Sequence, residues 1–302
     1  MARSLLTLSQ LSAVAVLIIS GVLFCSAQDD DVISVDSSIV VVNASVTDAL
    51  GKAVGGLKQK QFTILEDGIE QPIASFSSEA TPFAAVILLD TSGSMEERVT
   101  LARAAALQFL DNMRGLDFTA IYNFDSKVRL VQDFSNTRDM REAAYDLRAN
   151  GTTVLNDAVY KAADELSKRP EQRRAIIILS DGADTASGKS ESKALKAALA
   201  VGATIYTVDM SPTDQGPTGR NTGQGSLKTF AEKTGGRFVA TPGGLMMRDA
   251  FRRIAEELGS QYTLTYEPGA SKKDGKWHAI ELRVARSNLT IRTRKGYNAP
   301  KK

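Results

Sequence analysis

The sequence predicts an α/β fold: a doubly wound, mostly parallel sheet inserted in a small, discontinuous β-sandwich domain. Three observations lead there. Two stretches, Phe83 to Leu89 and Arg174 to Ser180, are apolar almost without interruption, as strands buried on both faces of a parallel sheet are. Between Pro82 and Gly259, strand-like and helix-like segments alternate, the order that builds helices onto a parallel sheet. On either side lie only short alternating strands, too few in each half to bury a core alone.

In chain order, Ile39 to Val46 reads as a strand closed by the turn Asp48–Lys52. Phe62–Gly68 and Gln71–Phe76 read as a hairpin around Asp67-Gly68. A helix over Glu96 to Met113 carries Val99, Ala102, Ala106, Phe109 and Leu110 on one face. Phe118–Phe124 and Val128–Phe134, separated by three residues, should pair antiparallel at a sheet edge. Helices follow at 138–149, 154–168 and 189–201, with strands at 174–180 and Ala203–Asp209 between and after them. Ser211 to Gly225, rich in Gly and Pro, reads as a surface loop before a helix at 226–234. Strand Arg237–Thr241 and helix Met247–Leu258 end the alternation. Strands at Tyr262–Tyr266, Trp277–Val284 and Leu289–Arg294 complete the chain and supply partners for strands 39–76. The expected divisions are 1–27, an export signal; 28–81, an N-terminal β segment; 82–260, the α/β domain; and 261–302, a C-terminal β segment packing with the first.

The N-terminus suggests an exported, periplasmic or secreted protein. Arg3 precedes an apolar stretch from Leu11 to Phe24, and Cys25-Ser26-Ala27 offers small residues for cleavage. The stretch falls short of the ~20 residues of a spanning helix, so an uncleaved anchor is the weaker reading. A lipoprotein signal at Cys25 is disfavoured by bulky Phe24. No integral membrane segment is expected in the mature chain, and removing the signal removes the single cysteine. A formal charge of +2 is too balanced for a nucleic-acid partner. The basic residues near the end (Arg286, Arg292, Arg294, Lys295, Lys301, Lys302) read as a solvated strand face and tail.

Chemistry concentrates after the first apolar strand, where Asp90, Ser92 and Ser94 alternate around Gly93. One carboxylate and two hydroxyls leaving a buried strand suit a hard, oxygen-binding cation. The run Asp90-Thr-Ser-Gly-Ser94 resembles the D-x-S-x-S motif of the von Willebrand factor A (vWA) family, whose fold is Rossmann-like. Two further motifs follow in that family's order. Gly151-Thr-Thr-Val-Leu155 is similar to its G-G-T-x-L loop, and Leu179-Ser-Asp-Gly182 to the loop holding its second aspartate. The resemblance implies a metal-ion-dependent adhesion site formed by Asp90, Ser92, Ser94, Thr153 and Asp181, with Thr152 replacing Thr153 if the register slips. It implies Mg2+, with Mn2+ or Ca2+ as other hard cations, and a protein partner supplying an Asp or Glu carboxylate. Taken alone, each motif is an ordinary cap or turn; together they form a set.

The function implied is binding, adhesion or complex assembly in the cell envelope, not turnover. The alternative is a metal-independent scaffold acting through its β domain. Enzyme signatures are missing. There is one histidine, His278, which reads as a surface residue of a β-hairpin. No Gly-x-Ser-x-Gly elbow, Walker A or dinucleotide fingerprint occurs. Zinc is disfavoured by the lack of Cys and His clusters.

Overall fold

The computed structural model describes residues 39–78, 81–211, 217–240, 244–269 and 274–300. The expected signal at 1–27 and the lead-in after it lie outside the described residues. No helix among the described residues is long and apolar enough to cross a membrane.

The central sheet is built from β5 (Phe83–Asp90), β6 (Phe118–Phe124), β7 (Val128–Ser135), β8 (Arg173–Ser180), β9 (Ala203–Asp209) and β10 (Phe238–Ala240), in the order β10-β9-β8-β5-β6-β7. All neighbours are parallel except β6 and β7, which form the expected antiparallel edge. Every residue of β5 is buried, and they alternate between two cores. Phe83, Ala85, Ile87 and Leu89 face one core with α1 (Val99–Asp111) and α5 (Gly244–Ser260). Ala84, Val86 and Leu88 face the other with α2 (Leu155–Ser167), α3 (Glu191–Ala200) and α4 (Pro217–Thr234). This two-sided burial is why β5 and β8 read as continuous apolar runs.

The two ends of the chain build a sandwich. One sheet has the order β13-β1-β11-β4 and joins β1 (Val40–Thr47) and β4 (Ser75–Ser77) to β11 (Tyr262–Tyr266) and β13 (Thr290–Thr293). The other, β14-β12-β2-β3, joins β2 (Phe62–Glu66) and β3 (Ile69–Gln71) to β12 (Trp277–Val284) and β14 (Gly296–Asn298). Their shared core includes Val42, Ala44, Ile64, Leu264 and Leu282. The sandwich is thus discontinuous in sequence, with the α/β layers inserted between its halves, and the described residues pack as one compact unit.

Five details depart from expectation. The hairpin turn at Asp67-Gly68 forms with both residues at positive φ (50° and 81°), as a type I′ turn requires. Its return strand, however, stops at Gln71. Pro72 has no N–H to continue the ladder, and Ser75–Ser77 pairs with β11 in the other sheet. The helix expected at 138–149 is a single 3-10 turn, Glu142–Ala144. Side chains take its backbone groups: Gln132 Oε1 accepts from Arg141 N (2.9 Å), and Arg103 Nη1 donates to Tyr145 O (3.1 Å).

The Gly- and Pro-rich stretch expected as loop begins α4 at Pro217, a residue whose fixed φ suits the first helical position. Its Gly223 serves close approach: a Cβ there would lie 2.1 Å from Asp181 O. His278 is buried, not superficial, with Nδ1 2.7 Å from Asp67 Oδ2 and Nε2 3.1 Å from Asp274 Oδ1. Finally, the basic C-terminal cluster is only partly solvated. Arg292 pairs with Glu257, and buried Arg294 donates from Nη1 to Leu199 O at 3.1 Å.

Candidate metal centre

The strand order reverses between β5 and β8: the chain leaves β5 toward β6 on one side and returns to β8 on the other. Loops diverge at such a switch point, opening a crevice at the carboxyl ends of the strands. Asp90 is the last residue of β5 and is fully buried. Ser180, the last residue of the adjacent β8, donates its hydroxyl to Asp90 Oδ2 at 2.5 Å. The backbone N of Ser92 donates to Asp90 Oδ1 at 2.8 Å. The first carboxylate is therefore clamped from both neighbouring chain segments.

Ser92 is buried and Ser94 exposed, with their hydroxyl oxygens 3.2 Å apart. The 150–154 loop is fastened through the backbone to this loop and to the turn between β6 and β7. Gly93 N donates to Gly151 O (3.2 Å), Asn150 N to Thr91 O (2.8 Å), and Val154 N to Asp125 O (3.0 Å). Thr153 is buried while Thr152 is exposed. Thr153 N donates to Thr185 Oγ1 (3.0 Å), and its carbonyl accepts from Thr185 N and Ala186 N. Its hydroxyl has no hydrogen-bond partner among the described residues. Asp181 follows Ser180 and is half-buried, its Oδ1 accepting from Ala183 N at 3.2 Å. Of the five candidate residues, Asp90, Ser92 and Ser94 are thus linked directly. Thr153 reaches them through paired loops, and Asp181 through Ser180.

The electrostatics have one main source. Burial pushes the Asp90 carboxyl up to about 6, although hydrogen bonds from Ser180 and Ser92 pull it down; the charge of Asp181 adds to the rise. No Lys or Arg pairs with Asp90 among the described residues. A buried carboxylate with a second acid nearby and no cationic partner lacks one positive charge source, and a divalent ion fits that need. The donor set fits as well: carboxylate and hydroxyl oxygens suit Mg2+, Mn2+ or Ca2+. Among the described residues, no group of three or more His, Cys, Asp or Glu is placed to hold a metal. The three hydroxyls would have to complete the ligand set.

Several residues around this edge escaped the sequence reading. Ser180 stood beside Asp181 in the motif, but only strand register shows that it reaches Asp90. Asn123 Nδ2 donates to Thr91 Oγ1 (3.0 Å), tying β6 to the first loop. Asp209, buried at the end of β9, accepts from Ser211 N (2.9 Å) and Gln224 Nε2 (2.6 Å). No motif flags Asn123 or Asp209, because their roles follow from lying at the carboxyl ends of β6 and β9, the strands next to β5 and β8.

A doubly wound sheet with hydroxyl and carboxylate residues at its switch point defines a class of α/β domains. Residues 85–183 match the sequence model of the von Willebrand factor type A domain. No curated protein matches the chain. Among solved structures, it is similar to a von Willebrand factor type A protein from Catenulispora acidiphila (14% identity, TM-score 0.49, covering 89% of this chain and 76% of that one). It is also similar to the vWF domain of the type V pili tip protein Mfa5 from Porphyromonas gingivalis (16%, TM-score 0.49, 59% and 95%). A third similar structure is the conserved hypothetical protein BatB from Bacteroides thetaiotaomicron (15%, TM-score 0.47, 58% and 98%).

Proposed function

We propose that this chain is an exported protein-binding module whose vWA domain holds a divalent cation, foremost Mg2+, through Asp90, Ser92, Ser94, Thr153 and Asp181. The partner is a protein that presents an Asp or Glu carboxylate. When bound, the cation would supply an electrophilic centre for that carboxylate. The residues of the chain do the rest. Ser180 and Ser92 N hold Asp90 in place, and the Gly93–Gly151 hydrogen bond holds the Thr153 loop against the Ser92–Ser94 loop. Exposed Ser94 and half-buried Asp181 leave the mouth accessible to solvent.

The observation that carries this reading is the meeting of all three motif-bearing loops at the carboxyl edge of β5 and β8. Hydroxyl-rich ligand sets bind Mg2+ modestly and leave room for an outside carboxylate. Such a site suits assembly better than catalysis. The export reading rests on residues 3–27.

The experiment is partner capture from an envelope extract by the full chain, with Mg2+, with EDTA, and with the Asp90→Ala variant. Capture that needs Mg2+ and is lost in the variant supports the proposal. Equal capture in all three arms would transfer the function to a metal-independent scaffold role of the β-sandwich.

A further inference from the structure

We propose that Asn150 is a site of spontaneous deamidation, and that its isoaspartyl product uncouples the two loops that meet there. Asn150-Gly151 is the single Asn-Gly pair in the chain. Both residues are exposed. Glycine has no Cβ to shield its nitrogen, and Gly151 N donates no hydrogen bond among the described residues. The Asp181-Gly182 pair offers a contrast, since Gly182 N is engaged by Ser180 Oγ at 2.9 Å.

The chemistry needs only water. The backbone nitrogen of Gly151, losing its proton, attacks Asn150 Cγ. The new N–Cγ bond closes a five-membered imide, and the bond from Cγ to Nδ2 breaks, with ammonia carrying away the proton. Water then opens the imide at one of its two carbonyls. One opening leaves aspartate at position 150; the other leaves isoaspartate, with the main chain routed through the former side chain. Both add a negative charge, and the second lengthens the backbone by one carbon.

That extra carbon falls between two anchors. On one side Asn150 N donates to Thr91 O (2.8 Å); on the other Gly151 O accepts from Gly93 N (3.2 Å). Gly151 sits at φ +74°, and a Cβ built on it would lie 2.8 Å from Ser126 Oγ, so the loop has little slack. Lengthening the chain here breaks the longer of the two hydrogen bonds, from Gly93 N to Gly151 O on the Thr153 side of the added carbon. The loop carrying Thr153 then moves away from the loop carrying Ser92 and Ser94. A consequence for partner capture rests on the proposed function; the deamidation and the uncoupling do not.

The test incubates the full-length chain, folded and urea-unfolded, at mildly alkaline pH, followed by trypsin digestion and mass spectrometry of peptide 149–161. Replacing an amide by a carboxyl adds about one mass unit, and fragmentation separates Asn150 from Asn156. The folded chain should convert at position 150, and Asn150→Gln should show no gain there. A folded chain that keeps Asn150 intact while the unfolded one converts would overturn the site. The isoaspartyl fraction, separated by anion exchange, should show faster hydrogen exchange at the Gly93 amide than untreated protein. Unchanged protection at Gly93 would overturn the uncoupling.

Discussion

Ser180 Oγ lies 2.5 Å from Asp90 Oδ2 while accepting a hydrogen bond from Gly182 N, so one hydroxyl joins the ends of β5 and β8 and the turn beyond. The contact is buried, and the other oxygen of Asp90 accepts from Ser92 N. Replacing Ser180 with Ala should destabilise the protein by roughly 1–3 kcal/mol, the cost of leaving a buried acceptor unpaired. Urea unfolding of the metal-free protein measures it, and a loss under a few tenths would show that the bond contributes little.

Glu257 of α5 is a second junction. Its Oε1 accepts from Ser45 Oγ (2.8 Å) and Tyr206 OH (2.9 Å), and its Oε2 faces Arg237 and Arg292. These partners come from the sandwich and from the α/β layers, so one carboxylate ties both. Glu257→Ala removes the shared acceptor of two arginines and two hydroxyls, and should cost about 3 kcal/mol, the low end for a buried pair because Gly236 O and Gln261 remain as partners. Denaturant unfolding reads the effect; a near-neutral result would mean that the surroundings rehydrate freely.

Gly223 reverses an ordinary rule. In an exposed helix, Gly→Ala stabilises by about 1 kcal/mol. Here the added Cβ would lie 2.1 Å from Asp181 O and 2.8 Å from Ala183 N, both backbone atoms. Gly223→Ala should therefore lower the melting temperature, and Gly225→Ala, with open space around it, should not. Equal behaviour of the two variants would refute the close approach.

The fold was largely legible in the sequence, because burial on both faces writes itself as apolar runs. β5, β8 and β9 fall within a residue of expectation for that reason. Elements governed by tertiary contacts were not legible. Residues 138–149 carry a helical spacing of apolar residues, but side chains of Gln132 and Arg103 bind their backbone instead. Gly223 looked like loop because composition cannot distinguish a flexible glycine from one that permits close packing. His278 looked superficial because its partners Asp67 and Asp274 are known only once β2 and β12 are paired. At the candidate site the motifs were visible, whereas the supporting Ser180, Asn123 and Asp209 depend on strand order.

Asp125 gives a pH dependence. Burial raises its carboxyl, but the hydrogen bond from Arg129 and the backbone N–H of Lys127 outweigh it, so the net shift is downward from 3.8. A depressed carboxylate adds stability above its unfolded value, and loses it as pH falls through the lower folded value. The window is thus below 3.8. Arg129→Gln should move acid unfolding to higher pH and leave neutral stability changed by less than ~1 kcal/mol, because Arg129 is half exposed. An unchanged acid transition would remove Arg129 as the cause.

Asp90, Ser92, Ser94, Thr153 and Asp181 are proposed to hold a hard cation together. The most direct measurement is thermal unfolding of the full chain and of Ser92→Ala and Thr153→Ala, titrated with Mg2+ and then with EDTA. A ligand bound only to the folded state at 100 times its Kd stabilises by about 2.7 kcal/mol. The account predicts a saturable, EDTA-reversible rise in melting temperature for the wild-type chain and none for either variant. A wild-type chain indifferent to Mg2+, or a rise that survives both substitutions, would contradict it.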